Sequence, residues 1–144
     1  EIEASRLTVY CENEAANLIL SAFAALAKNQ DVSLSIHAQL PHVLPIAESD
    51  LCVLLSNALE NALHACAEQE HSAIVVQAYV QSEKFFLQVV NDCSKPVQFQ
   101  RGIPVTDRPG HGVGVRSICA IVEQYGGMYS FSVQNGHFVL RLSL

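Results

Sequence analysis

Residues 51–66 constrain the fold more than any other segment of this sequence. They contain neither proline nor glycine, and their apolar side chains fall on one broad arc when the segment is drawn as a helix at about 100° per residue. The members of that arc are Leu51, Leu54, Leu55, Ala58, Leu59, Ala62, Ala65 and Cys66. An arc this broad predicts a helix that is packed into the core of an α/β layered domain.

The same helix carries a second, narrower arc of polar side chains. Its members are Asn57, Glu60, Asn61, His64 and Glu68. Asn57 and Asn61 are four residues apart, so their side chains lie one above the other. Asn is a poor helix former, and Val53 shares the arc although it is apolar. The wall of a ligand pocket would explain both facts, and carboxamide oxygens suit Mg²⁺. Two solvent-facing amides are the alternative, which spacing alone favours.

A glycine-rich segment precedes the helix predicted over residues 113–125. Glycines alternate at positions 110, 112 and 114. Glycine lets the backbone approach a ligand closely, and a helix N-terminus offers unpaired N–H groups and a positive dipole end. Arg116 in the first turn opposes that dipole unless a polyphosphate binds there. A phosphate cradle is therefore predicted, with a flexible turn as the alternative. The segment is not a P-loop, because no Gly-Lys-Ser/Thr follows.

Asn91 ends the apolar strand predicted over residues 85–90 and opens a stretch that has three prolines and no convincing periodicity. Its amide could bond both a donor and an acceptor on an adenine edge. Taken alone, it is better interpreted as a strand-end Asn that starts a turn. Long loops inside compact domains are usually functional lids or mobile segments.

The remaining signals place a helix, a strand and a further helix before these strands, and a hairpin after the last helix. The predicted helices are 12–29, 49–68 (with Ser49 as N-cap) and 113–125, and the predicted strands are 32–36, 73–80, 85–90, 129–133 and 138–144. The Asn135-Gly136 dipeptide predicts the turn of the final hairpin. This order predicts one domain over residues 1–144, an α/β (α+β) two-layer sandwich with a mixed sheet and helices on one face.

Composition excludes several classes of function. With eight Lys and Arg residues and a net charge of −6, the chain is not expected to bind nucleic acid directly. Five cysteines without a C-x-x-C pair fit neither a disulfide framework nor a zinc site, and predict free thiols in a reducing cytosol. Only 15% of the residues are charged, which indicates a large core and an apolar docking surface. The chain is expected to be a piece of a longer protein.

Together, three segments resemble the GHKL ATPase superfamily, and within it the catalytic domains of sensor histidine kinases. Residues 57–62, Asn-Ala-Leu-Glu-Asn-Ala, resemble the family's N box; Asn91 stands where the first glycine box begins; and residues 110–115, Gly-His-Gly-Val-Gly-Val, resemble the second glycine box. Tyr10-Cys-Glu-Asn and Tyr125-Gly-Gly are most similar to agr-type peptide quorum-sensing kinases. The resemblance covers nearly the whole chain and implies a Bergerat-type ATPase fold.

The resemblance implies ATP and Mg²⁺ as ligands and a role for each matching position. Asn61 would coordinate Mg²⁺, Asn57 would support the phosphates or the metal, and Asn91 would meet the adenine amino group. The residues that would wrap the phosphates are Gly110, His111, Gly112, Val113, Gly114 and Val115, with Arg116 adding charge. Residues 94–109 would form the ATP lid. His64 stands where many histidine kinases carry a phosphate-contacting Lys, and is assigned to the ATP site.

The implied reaction is phosphoryl transfer to a histidine on dimerisation helices upstream of this chain, in a homodimer, and then to a response regulator. Glu60 could act as a base or orient the incoming imidazole, and a solvated carboxylate is the alternative. The implied location is the cytoplasmic side of a membrane-anchored receptor. Two other functions stay open. Cys93-Ser94-Lys95-Pro96 replaces the usual Gly-x-Gly of the first box, which favours a GHKL-fold interaction module without ATPase activity. An anti-sigma-type protein-serine kinase is the second.

Overall fold

The protein, described by a computed structural model over residues 8–106 and 112–144, is a layer of helices on a mixed sheet. The helices are α1 (Glu14–Asn29), α2 (Glu48–Ala67) and α3 (Val113–Gln124). The strands are β1 (Ser33–Gln39), β2 (Ala73–Gln81), β3 (Lys84–Asp92), β4 (Gln98–Gln100), β5 (Ile103–Val105), β6 (Met128–Gln134) and β7 (His137–Ser143). The predicted fold class is confirmed.

Five strands form the main sheet in the order β1-β2-β3-β7-β6. The β1–β2 pair is parallel and the other three pairs are antiparallel, so the sheet is mixed as predicted. Alternate residues of β3, from Phe85 through Leu87 and Val89 to Asn91, are buried beneath the helices. Period-two burial of this kind is what a strand with one covered face produces. Asn91 therefore lies on the helix-facing side of the sheet.

The helix α2 is the centre of the helical layer and contacts α1, α3 and the sheet. Seven of the eight residues predicted for its apolar arc are buried, and Ala65 is half-buried. Leu63, which the arc omitted, is buried as well. The polar arc is confirmed as the outward face, because Glu60, Asn61 and His64 are exposed and Asn57 is half-buried.

Most predicted boundaries differ from the structure by one to three residues, and two of these differences have a clear physical cause. The helix α2 begins at Glu48 with Ala47 as its N-cap, so the prediction of Ser49 as N-cap is wrong. A tertiary contact replaces the missing side-chain cap: the Tyr125 hydroxyl accepts a hydrogen bond from the Ala47 N–H at 3.0 Å. The strand β3 continues past its predicted end through Asn91 to Asp92, because Asp92 pairs with His137 of β7.

The predicted lid, residues 94–109, contains structure that the sequence did not reveal. The short strands β4 and β5 pair as a hairpin around Arg101 and Gly102, both of which have positive φ. Three-residue exposed strands leave little periodicity to detect. Residues 107–109 of the lid lie outside the described residues.

Within the described ranges, no helix has the length and apolar character that crossing a bilayer requires.

The turn between α3 and β6 depends on a glycine packed directly against the end of the sheet. A Cβ at Gly127 would collide with the carbonyl oxygen of Ser143 and would also meet Leu144. Because the obstacle is backbone rather than a mobile side chain, the collision cannot be relieved by a change of rotamer. Gly127→Ala is therefore expected to lower the free energy of unfolding by about 1–3 kcal/mol, measured by urea denaturation.

The neighbouring Gly126 supplies the matched control. Its φ is +69°, and a Cβ there would meet nothing within 4 Å. Asn tolerates this left-handed conformation, so Gly126→Asn is expected to cost clearly less than Gly127→Ala. Equal losses in the two variants would contradict the assignment of the cost to the Ser143 contact.

Candidate functional site

The start of α3 and the middle of α2 meet at one close contact. A Cβ at Gly114 would lie 2.8 Å from Oδ1 of Asn57. The Asn57 amide cannot easily retreat, because its Nδ2 donates to the carbonyl oxygen of Val53, one helical turn earlier, at 2.8 Å. A carbonyl oxygen only accepts hydrogen bonds, so Nδ2 has to face Val53 and Oδ1 has to face Gly114. The structure thus brings the predicted N box and second glycine box together.

The first turn of α3 presents backbone donors beside Asn57. Gly112 adopts the left-handed conformation, with φ of +94°, and precedes the helix as its N-cap. The N–H of Arg116 bonds to the Gly112 carbonyl oxygen at 3.1 Å and is the first N–H used within the helix. By helix geometry the N–H groups of Val113, Gly114 and Val115 have no intrahelical acceptor. Such a set of donors, with the positive end of the helix dipole, suits an anion.

The structure places the other predicted phosphate residues in different surroundings. Val113 and Arg116 are exposed, whereas the side chain of Val115 is buried in the core and leaves only its N–H for a ligand. Asn61 and Glu60 are exposed one turn beyond Asn57. Gly110 and His111 lie outside the described residues.

At the C-terminal end of α3, the hydroxyl of Tyr125 joins α3 to the start of α2. This pair of hydrogen bonds is called the Tyr125 clamp. Tyr125 donates to Oδ2 of Asp50 at 2.6 Å and accepts from Ala47 N–H at 3.0 Å. The hydrogen bond to Asp50 is the main reason that the pKa of Tyr125 is raised. Because this contact joins the C-terminal end of α3 to the N-terminal end of α2, the two helices are antiparallel. The glycine end of α3 therefore falls beside Asn57. Tyr125 was noted in the sequence only as part of a family-like Tyr-Gly-Gly.

Asn91 lies at the opposite end of α2 from this clamp, and it is 2% exposed. Its Nδ2 donates to the carbonyl oxygen of Asp92 at 2.9 Å. The same carbonyl accepts from Nε2 of Gln69 at 3.0 Å, and Gln69 also donates to the Ala65 carbonyl oxygen at 3.0 Å. The Asp92 carboxylate accepts from Ala73 N–H at 2.9 Å and lies 3.1 Å from Nδ1 of His137. Sequence reasoning missed Gln69 and Asp92, since their contacts join distant parts of the chain.

Amide oxygens, rather than grouped acidic or thiol side chains, are the candidate metal ligands of the predicted site. Within residues 8–106 and 112–144, no three His, Cys, Asp or Glu side chains are grouped so as to hold a metal ion. The amide oxygens of Asn57 and Asn61 are of the kind that suits Mg²⁺ and could serve as its ligands. Two surface grooves, of about 510 and 400 Å³, share no lining residue with the predicted site. The predicted site therefore rests on the chemistry of its residues and not on the size of a groove.

A family model described as the GHKL domain matches residues 46–144. This chain belongs to the GHKL family. The matched residues include both asparagines of α2, Asn91 and the glycine-rich segment. The family resemblance of the sequence is thereby confirmed.

Solved structures place the fold of this GHKL domain among histidine kinase catalytic domains. The nucleotide-free catalytic domain of the histidine kinase ThkA superposes with a TM-score of 0.74 at 16% identity, covering 91% of this chain and 91% of that one. The mycobacterial sensor histidine kinase MprB superposes with a TM-score of 0.66 at 17% identity, covering 90% of this chain and 93% of that one. A structure of ThkA in complex with the response regulator protein TrrA superposes with a TM-score of 0.68 at 14% identity, covering 91% of this chain and 39% of that one. No curated protein sequence matches significantly.

Removal of the Tyr125 hydroxyl tests the clamp. Tyr125→Phe is expected to lower the free energy of unfolding by about 1 kcal/mol at pH 7. A raised pKa means that the folded state favours the protonated phenol, so this stabilisation is complete below the ordinary pKa of 10 and is lost as pH rises through the raised value. Urea denaturation at pH 7 and above pH 10 measures both effects.

Tyr79 offers the matched control for that measurement. Its ring stacks on Phe86 with centroids 4.9 Å apart, a contact that does not use the hydroxyl. Tyr79→Phe is expected to change stability by clearly less than Tyr125→Phe. A pH-independent loss in Tyr125→Phe would show that packing, and not the hydroxyl, is responsible.

A double-mutant cycle tests the contact between Gly114 and Asn57. Ala is a better helix former than Gly by about 1 kcal/mol, but a Cβ at position 114 displaces Asn57 from Val53. Gly114→Ala is therefore expected to be neutral or destabilising in the native chain. In an Asn57→Ala background it is expected to stabilise by up to about 1 kcal/mol. Equal effects in both backgrounds, measured by thermal unfolding, would contradict the contact.

Proposed function

We propose that this GHKL domain binds Mg-ATP and is the catalytic domain of a two-component sensor histidine kinase. The observation that carries the proposal is the approach of Gly114 to Asn57, with Oδ1 of Asn57 turned toward the first turn of α3. One position then offers an amide oxygen and unpaired backbone N–H groups together. Those are the groups that a magnesium-bound polyphosphate needs, and the fold of ThkA and MprB supports the same assignment.

The proposed ATP site runs from the middle of α2, where the phosphates and Mg²⁺ would lie, to the C-terminal end of α2, where the base would lie. Asn61 would hold Mg²⁺ and Asn57 would support the phosphates or the metal. Gly110 to Val115 and Arg116 would contact the phosphates. His64 lies one turn beyond Asn61 on the same exposed arc and would belong to the phosphate side of the site. Asn91 would meet the adenine amino group near the C-terminal end of α2, and residues 94–109 would form the lid.

The reaction is the transfer of the γ-phosphoryl group to an imidazole nitrogen. A P–N bond forms, the bond between the γ-phosphorus and the β–γ bridging oxygen breaks, and that oxygen leaves on ADP. Bound Mg²⁺ supplies neutralisation of the phosphate charge. The backbone N–H groups at the start of α3 stabilise the charge that develops on the equatorial oxygens. Glu60, exposed between the two asparagines, can orient the incoming imidazole or take its proton.

The acceptor histidine belongs to dimerisation helices upstream of this chain, in a homodimer that is membrane-anchored and keeps this domain in the cytoplasm. From that histidine the phosphoryl group passes to a response regulator. The similarity to ThkA, which has been solved in complex with the response regulator TrrA, supports this partner.

The variant Asn61→Ala tests the metal assignment. Asn61 is exposed, so its truncation should leave the fold intact. We expect binding of a Mg²⁺–ATP analogue, measured by calorimetry, to weaken at least tenfold, and autophosphorylation of the full-length receptor to be lost. Asn29→Ala, at the exposed end of α1, is the matched control and should bind like the native chain. Native affinity in Asn61→Ala would disprove the assignment.

One observation favours the interaction module without ATPase activity. Residues 93–96 lack the glycines of the first box, and this stretch is held in place by its own contacts. The Cys93 thiol donates to the Lys95 carbonyl oxygen at 3.1 Å, and Lys95 pairs with Glu68 at 2.8 Å. If calorimetry with the native chain gives neither heat nor a thermal shift on addition of the Mg²⁺–ATP analogue, the interaction module replaces the kinase as the function.

A further inference from the structure

One backbone carbonyl at the end of β3 receives two side-chain amides. The carbonyl oxygen of Asp92 accepts from Nδ2 of Asn91 at 2.9 Å and from Nε2 of Gln69 at 3.0 Å. A carbonyl oxygen has two lone pairs and donates nothing, so both of its positions are used and each amide has to present its NH₂ group. The orientation of Asn91 is therefore decided by chemistry rather than by space.

The consequence for Asn91 is that its Oδ1 is the atom available to a ligand. The side chain is 2% exposed, and an inverted amide would set two oxygens against each other where water cannot intervene. An oxygen at this position accepts from a ligand and cannot donate. It suits a purine that carries an amino group at position 6, and it opposes a purine that carries a 6-oxo group.

Gln69 also ties this carbonyl to the helix that holds the other end of the proposed site. Its Nε2 donates at 3.0 Å to the carbonyl oxygen of Ala65, which the last turn of α2 leaves without an intrahelical partner. One NH₂ group thus bridges α2 and β3. On the sheet side, Asp92 is held by its own carboxylate, which accepts from Ala73 N–H and pairs with His137. The bridge sets the position of β3 relative to α2.

We propose that Gln69 is a positioning residue for purine selectivity. It holds the Asp92 carbonyl where that carbonyl keeps Nδ2 of Asn91 occupied and Oδ1 directed to the 6-amino group of the base. Gln69 does not itself touch the nucleotide. This inference rests on the proposed function, because it assumes that a purine nucleotide lies against Asn91.

The test compares ATP with purine riboside triphosphate, which lacks the 6-amino group, by calorimetry with Mg²⁺ and without turnover. One buried hydrogen bond predicts that the native chain prefers ATP by about tenfold. Gln69→Leu removes the Nε2 donor and keeps a side chain of similar length. In this variant the preference for ATP is expected to fall to about twofold or less. The affinity for purine riboside triphosphate should stay within about twofold of native, since its phosphate contacts are untouched.

Two further variants separate positioning from general support. Gln69→Lys keeps donors that can reach both carbonyls and is expected to retain a preference of at least about fivefold. Gln77→Leu, on an exposed position of β2 remote from α2, should keep the full preference and controls for an added apolar side chain.

The outcomes distinguish this inference from the function on which it rests. A native chain that binds neither nucleotide overturns both. If the native chain prefers ATP and Gln69→Leu keeps that preference, the role of Gln69 is wrong and the kinase assignment stands. The same holds if Gln69→Leu weakens both nucleotides equally, because a merely structural role would do that.

Discussion

The burial of α2 across the sheet is the contact on which the rest of the structure depends. Eight of its side chains are buried, and α1, α3 and the central strands are arranged around it. A helix packed on one broad face can still slide or rotate by small amounts. Here each end is held by hydrogen bonds. The Tyr125 hydroxyl binds the N-terminal end, and Gln69 with Ser72, which donates to the Cys66 carbonyl oxygen at 3.1 Å, binds the C-terminal end. The exposed arc is therefore fixed relative to α3 and β3.

The two ends of the proposed site depend on different kinds of interaction. At the Asn57 end, closeness is obtained by omitting a side chain, since only glycine at position 114 leaves room for the amide. At the Asn91 end, the amine half of a buried amide is bound to a backbone carbonyl, so the amide oxygen is the atom left for a ligand. The first arrangement suits phosphates, which bind to N–H groups and a metal. The second suits a base edge, which is distinguished by donors and acceptors.

Helical and strand periodicity was enough to predict the layers of the fold and the outward direction of Asn57, Asn61 and His64. These periodic patterns arise from neighbouring residues, and the helices and strands that they predict are present in the structure. Some features that sequence reasoning missed are local, such as the short β4–β5 hairpin, and others depend on contacts between distant residues. The N-cap of α2 is completed by Tyr125, which lies 78 positions from Ala47. The strand β3 reaches Asp92 because His137 of β7 pairs with it. No local signal records either contact, and the roles of the site residues stay predictions until a nucleotide is bound.

The strand order has a consequence for how the domain is made. Of the strands that the structure describes, β7 is the last to leave the ribosome, yet it lies inside the sheet between β3 and β6. Until β7 emerges, β3 has an open edge and β6 has no partner at all, so the nascent chain holds unpaired strands while most of its apolar residues are already synthesised. The sheet can close only as a late, long-range event. During that interval the exposed edge of β3 and the unpaired β6 are open to wrong pairing.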